Sequence, residues 1–534
     1  MKKFYIILVS VVLALTLGLA FSIWPLSVVL AAGNSKLNMN RSPVSTNGIL
    51  DPGFGISGKV STPVGPGNDV AQAVAVQLDG RVLVAGYAYN GANNDFAIVR
   101  YNSDGTLDPS FGGNGIVLTP VGSSEDEAFG MTVQPNGNIV LVGQSSNGIK
   151  SDIAVVRYNS NGTLDTTFDL DGKMTVSPTQ GNALARSVAL QPDGRIVIAG
   201  VGLNPSNFDI ILIRLMPDGA LDTTFDGNTG VGNGIVITQV GAGSDQAYGV
   251  AVLPNGKIVV AGYYVATVST DTVLMRYQAD GVLDTSFGTG GLAIHSFSTA
   301  DTDEALSMVM QPDGKIVIAG CIRDGTPNDF LVARFESNGS RDLTFGSNGF
   351  LIVPFSSATD IALGVALQTD GKIVAVGFGN NGSNNDFAVA RVNPNGSLDT
   401  SFSDDGRDLT MIGSNTDVAN AVAIQPDGRI VVAGRTVAGT ADFGVIRFAT
   451  QTASISGRVL TPDGRGLRST RVNIIDNQGN TRSVLTSSFG LYSFEGVSVG
   501  HVYTLTANSK RYRFAARVLT VSDSLTDVDL RGLE

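Results

Sequence analysis

The chain has one cysteine, Cys321, and two histidines, His295 and His501, in 534 residues. A lone cysteine closes no internal disulfide, so stability has to come from packing and topology. A Ser/His/Asp or Cys/His relay needs a histidine beside a nucleophile and an orienting acid. His295 falls in a strand-like run and His501 at a turn, neither with such neighbours, and a zinc site has as little to draw on. Charge is scarce as well, at 15% of residues, and what there is leans acidic, with a formal net charge of -12 and a pI near 4.7. That balance disfavours nucleic acid or an anionic membrane as the main partner, because both require a basic surface. No stretch sustains a helical period, so almost no helix is expected.

What the chain has instead is glycine, 66 residues of it, and turns followed by apolar runs. The stretch Gln191-Pro192-Asp193-Gly194-Arg195-Ile196-Val197-Ile198-Ala199-Gly200 returns seven times, with turns at Asp79-Gly80, Asn136-Gly137, Asp193-Gly194, Asn255-Gly256, Asp313-Gly314, Asp370-Gly371 and Asp427-Gly428. Asp-Gly and Asn-Gly supply the positive φ of a tight hairpin, and the Val/Ile/Ala on either side supply strands. Two further landmarks keep step. One is L-D-x-x-F, with Asp51, Asp108, Asp165, Asp222, Asp284, Asp342 and Asp399 followed by Phe54, Phe111, Phe168, Phe225, Phe287, Phe345 and Phe402. The other is a strand that begins at Asp and ends in Arg: Asp95/Arg100, Asp152/Arg157, Asp209/Arg214, Asp271/Arg276, Asp329/Arg334, Asp386/Arg391 and Asp442/Arg447. The period is about 57 residues, stretched only where 226–234 lengthens one loop.

The first unit divides into four strand-like runs, roughly 55–64, 71–77, 81–87 and 95–101, and four antiparallel strands per unit make the blade of a β-propeller. The phase of the repeat argues for a closed ring. It opens on a strand with no preceding partner and ends on a blade lacking its fourth strand, so residues 55–64 are expected to complete the blade of 415–448 and hide two sheet edges. The units resemble the delta-60 type repeat of large bacterial surface and secreted proteins. The likeness rests on Leu107-Asp108-Pro109-Ser110-Phe111-Gly112, Gln311-Pro312-Asp313-Gly314-Lys315-Ile316-Val317-Ile318-Ala319-Gly320 and Asn385-Asp386-Phe387-Ala388-Val389-Ala390-Arg391. That family is propeller-forming and implies no settled activity.

The expected organisation is a signal peptide at 1–32, a linker at 33–49, a seven-repeat propeller at 50–449 and a small β-sandwich at 453–534. Lys2 and Lys3 precede the apolar run 4–30, which ends in Ala31-Ala32-Gly33, a small-residue exit suited to cleavage. Uncleaved, the same run is long enough to act as a membrane anchor. The C-terminal stretch carries Ile455-Ser456-Gly457-Arg458-Val459, Pro462-Asp463-Gly464 and Ser488-Phe489-Gly490-Leu491-Tyr492-Ser493-Phe494. These are similar to the carboxypeptidase regulatory-like domain, a transthyretin-like sandwich, and despite that family's name they imply no peptidase site.

The Arg of each Asp/Arg pair is expected to reach the Asp of L-D-x-x-F and staple blades, since Asp and Arg five apart on a strand face opposite ways. Asp69, Asp126, Asp245, Asp303, Asp360 and Asp417 precede the innermost strands, with Ala183 at the third unit's place. They either cap their own turns or hold calcium near one mouth of the channel, oxygen-only ligands suiting that ion. No other cofactor is called for. The loops at 89–94, 145–151, 202–208, 264–270, 322–328, 379–385 and 436–441 vary while their framework does not, so a ligand site is expected there, with Tyr89, Asn93 and Tyr264 as candidates. These readings converge on a secreted or cell-surface, monomeric, non-catalytic protein that binds a protein, peptide or glycan. The competing expectations are a carbohydrate-binding protein proper, and a propeller-type lyase or glycosidase with acids drawn from several blades.

Overall fold

The computed structural model describes residues 48–533 apart from 228, 229, 231, 267, 268, 299–301, 324–326, 451, 477, 478, 499–501 and 522–524. The signal segment, most of the linker and His501 lie outside the described residues. Every regular element among those described is a strand.

In the first blade Asp69–Val76, Val82–Tyr89, Asn94–Tyr101 and Ile116–Thr119 pair in chain order as an antiparallel meander. The Asp79-Gly80 hairpin joins the first two, Gly80 taking φ 83°. The two middle strands are apolar without alternation because both of their faces are covered by neighbouring blades, and Val82 to Ala85 and Phe96 to Val99 are buried. The inner strand is only part-buried along much of its length, and the outer strand is four residues long. Each inner strand carries a bulge, in the third blade between Ala185 and Ser187. A glycine of the second strand faces it. A Cβ on Gly200 would lie 2.0 Å from the Leu184 carbonyl oxygen, which explains why the apolar run ends in glycine in each repeat.

Five more blades of the same order follow, at 126–176, 183–238, 245–295, 303–353 and 361–410. The seventh is built from Val418–Ile424, Ile430–Val437 and Ala441–Phe448, and its outer strand is Lys59–Thr62 from the other end of the repeat array. Lys59 pairs with Ile446, Val60 with Val445, Ser61 with Gly444 and Thr62 with Phe443. The ring therefore closes as the phase of the repeat predicts. Successive innermost strands neighbour one another, and Val418–Ile424 lies against Asp69–Val76. There Asn420 Nδ2 donates to the Ala71 carbonyl at 2.7 Å. The closing strand is shorter than expected because 55–58 form a tight turn, Gly58 N–H bonding to Phe54 O at 2.8 Å.

The apolar cores lie between blades, each joining the facing sides of two adjacent sheets. At the rim of each seam sits the arginine that ends the third strand. Arg157 donates from Nε to Asp165 Oδ2 at 2.8 Å and from Nη2 to Thr167 Oγ1 at 3.2 Å, and Nη1 reaches the Pro217 carbonyl of the next blade. Its guanidinium lies 4.7 Å from the centre of the buried Phe168 ring. The ion pair and the ring contact recur in all seven blades, with ring distances between 4.5 and 4.8 Å. L-D-x-x-F and the terminal Arg are thus two halves of one inter-blade staple.

Residues 452–533 form two four-stranded sheets. One is ordered Leu491–Ser498, Thr452–Leu460, Leu530–Leu533 and Arg513–Phe514. The other runs Thr481–Leu485, Arg471–Ile475, Val502–Asn508 and Arg517–Thr520. Ile455, Val459, Phe494 and Leu530 of the first share an apolar cluster with Val472, Ile474 and Leu505 of the second.

Candidate functional site

The loops that enter the inner strands and those that join second to third strands emerge on one face, tied by backbone bonds such as Ser146 N–H to Glu125 O and Leu203 N–H to Asn182 O. Entry to six of the seven inner strands is shaped by the acidic positions singled out from sequence, the third having Ala183 there. Asp69 Oδ2 accepts from Val64 N at 2.7 Å and Gly65 N at 2.8 Å, and Asp417 Oδ2 accepts from Ile412 N at 2.7 Å and Gly413 N at 2.9 Å. Asp126, Asp245, Asp303 and Asp360 do the same in their blades. All six are fully buried. Each is turned into its own loop, the geometry of a cap, and among the described residues no three His, Cys, Asp or Glu side chains converge as a metal shell.

The three loop candidates part company. Tyr89, 36% exposed, stands at the mouth with its ring against Gly67. Asn93 accepts from Asn90 Nδ2 at 2.7 Å and donates to the Ser124 carbonyl, so its side chain clamps one loop to the next blade. Asn207 in the third blade and Asn384 in the sixth act alike. Tyr264 packs into the seam between the third and fourth blades, its hydroxyl meeting Asp271. Of the loops expected to carry a site, 89–94 and 436–441 meet at a cavity.

That cavity, of about 570 Å³, opens between the seventh, first and second blades. Tyr89, Asn68, Asn94 and Thr440 form its rim, and Tyr87, Glu127 and Arg435 line it from the strands beneath. Tyr87 stands edge-on to Phe129, ring centres 6.4 Å apart. Burial, with the negative field of Glu127, pushes its phenol up to about 12, so it stays protonated at neutral pH. Burial also raises Glu127 above the usual carboxylate range, against the donors Gln144 Nε2 at 2.8 Å and Asn94 Nδ2 at 3.1 Å that engage its two oxygens. The Arg435 side chain is half-buried and its guanidinium makes no hydrogen bond or ion pair with any described residue.

Tyr87, Glu127 and Arg435 escaped the sequence reading because they sit on strands, where repetition suggested framework. A signal was there. Laid over one another, the repeats place Tyr87, Gln144, Val201, Tyr263, Cys321, Phe378 and Arg435 at one position of the second strand, directly after the glycine that faces the bulge. A position so variable beside one so constant points to function rather than fold. The histidine of the fourth blade is taken up in packing: His295 Nε2 bonds the Gly339 carbonyl at 2.8 Å and its ring packs 4.6 Å from Phe335.

The carboxylates make stability pH-dependent in two opposed ways. Burial raises Asp69, Asp245 and Asp303 in spite of their backbone donors. Such groups favour the folded state at low pH, and that stability is lost as pH rises from the free value of 3.8 through the raised ones. At the staples burial acts to raise the carboxylates too, but it is outweighed. Ser401, Arg391 and Lys372 hold Asp399 at about 2, and Asp108, Asp165 and Asp222 are likewise lowered by Ser or Thr hydroxyls and arginine. Their contribution is present above 3.8 and lost as pH falls through the lowered values. The melting temperature should therefore peak at about pH 4 and fall on both sides. A calorimetric series from about pH 2 to 8 checks this, and a monotonic rise to neutrality would contradict it.

Fold and site together define a seven-bladed β-propeller with a pocketed seam on its loop face. Segments 77–111, 134–168, 191–225, 253–287, 311–345, 368–402 and 425–451 match the family model described as "Domain of unknown function (DUF5122) beta-propeller", and the chain is a repeat β-propeller protein. No curated protein matches it. Among solved structures it is similar to a polysaccharide lyase of family PL25, an ulvan lyase, at 11% identity and a TM-score of 0.40, covering 72% of this chain and 95% of that one. It is similar also to Sqt1 from Chaetomium thermophilum, at 13% identity and 0.40, covering 73% and 98%, and to Drosophila Semaphorin 2a, at 8% and 0.42, covering 89% and 97%.

Proposed function

We propose that the protein is a non-catalytic binding protein of the cell surface or extracellular space, and that its pocketed seam takes sugar residues of a glycan. Export rests on the basic start, apolar run and small-residue exit of residues 1–33. The observation that carries the binding reading is the cavity itself: two tyrosines, two asparagines and a threonine around about 570 Å³ offer ring faces for stacking and amide and hydroxyl groups for sugar hydroxyls. An enzyme reading fits less well. The cavity is lined by a single carboxylate, Glu127, where glycoside hydrolysis takes a pair. The repeats follow the delta-60 pattern, and the C-terminal pair of sheets, if a carboxypeptidase regulatory-like module, serves as spacer or second binding unit.

Screening the full chain against a glycan array is expected to return saccharide ligands. Tyr89→Ala should weaken them about tenfold without lowering the melting temperature, since the ring is at the rim. An empty array, or binding indifferent to Tyr89, would remove the reading. Cleavage products from any bound glycan would replace it with the enzyme.

A further inference from the structure

Within the pocketed seam one charged group is left without a counterpart. Arg435 projects from Ile430–Val437 of the seventh blade and lines the cavity, yet its guanidinium forms no ion pair and donates no hydrogen bond to any described residue. Contrast the seven staple arginines, each fixed on a carboxylate beneath a ring. Among the other repeats its place in the strand is taken by Tyr, Gln, Val, Cys or Phe, so the framework does not require a cation there. A guanidinium lining an open cavity keeps its fork of donors for solvent or for a ligand that displaces it. The nearest lining carboxylate does not accept: Glu127 spends one oxygen on Gln144 and the other on Asn94.

We infer that the ligand is an anionic saccharide whose carboxylate or sulfate is received by Arg435, with the sugar ring held between Tyr89 and the asparagine rim. A guanidinium presents a planar fork of donors that matches both oxyanions, while the tyrosines and amides serve the uncharged part of the ring. Glu127, on the second-blade side of the cavity, would repel an anion placed beside it, so the charged group is oriented to the seventh-blade wall. The inference rests on the glycan reading above and adds a charge requirement that the reading alone does not make.

Titration calorimetry of the full chain tests it with four probes of equal length: a tetragalacturonate, its methyl ester, a sulfated galactose tetramer and a neutral galactose tetramer. One or both acidic probes should bind at least about tenfold tighter than the uncharged ones, the preferred anion naming its source, and added salt should erode the difference. Arg435→Gln should abolish that preference, bringing acidic and uncharged probes to equal affinity, and keep the melting temperature, because the Arg435 side chain makes no hydrogen bond or ion pair with a described residue. Arg435→Lys should retain part of it. Equal affinity for all four, or a preference that survives Arg435→Gln, overturns the charge requirement while sparing the glycan reading. Failure of every probe at millimolar concentration overturns both.

Discussion

Deleting residues 49–62 should leave a chain that no longer melts cooperatively and that self-associates. Three losses coincide. Four strand pairings on Ala441–Phe448 disappear, together with the buried bond from Tyr101 Oη to Thr62 Oγ1 at 2.8 Å. Phe54, fully buried in the seam of the seventh and first blades, is removed, and emptying such a site costs about 3–5 kcal/mol. Arg447 loses its only carboxylate partner among the described residues, Asp51 at 2.8 Å, and an uncompensated buried charge costs about 3–5 kcal/mol more. Against a total domain stability of about 5–15 kcal/mol, these terms suffice to open the ring. Opening it also bares the edge of Ala441–Phe448, an invitation to intermolecular pairing. Size-exclusion chromatography and calorimetry read the outcome. A synthetic peptide of 48–64 added during refolding should restore the monomer and the transition. A deleted chain that stays monomeric and melts as before would show that the ring closes without the clasp.

A single staple should matter nearly as much. In Arg157→Ala, Asp165 keeps Asn138 Nδ2 at 2.9 Å and the Thr167 donors but has no cation left. The carboxylate stays buried, the Phe168 ring loses the guanidinium over its face, and the link to the Pro217 carbonyl of the next blade is gone. The expected cost is about 3–5 kcal/mol, read from chemical denaturation. Replacing both partners, as Arg157→Met with Asp165→Asn, should recover most of it, because no unpaired charge then remains in the seam. If the single and double variants are equally unstable, the staple acts through packing on Phe168 and not through charge. The third blade is a useful comparison: Asp222 keeps Arg195 when Arg214 is removed, so Arg214→Ala should cost less.

Much of the fold was legible before any coordinates. The Asp-Gly turns set the hairpins, the apolar run ending in Gly200 marked a strand, and the arginine ending the third strand was expected on the Asp of L-D-x-x-F. Chain order sufficed for these because each depends on residues within one unit or the next. The candidate site was legible only in part. Tyr89 lies in it, whereas Asn93 and Tyr264, equally loop-like and polar in sequence, turn to a neighbouring loop and to a seam. Loop membership says which side of the molecule a residue is on, not which way its side chain leans.

The amino-acid sequence by itself determined the unit, the number of units and the need for the two ends of the array to meet, since an unpaired strand at one end and a three-stranded blade at the other have only each other as partners. The tertiary structure alone decided which seam holds a cavity and which side chains enter it. Arg435 and Glu127 are more than 300 positions apart, and only the circular path of the chain sets the seventh blade beside the first and the second, so that a strand residue from each end faces the same space.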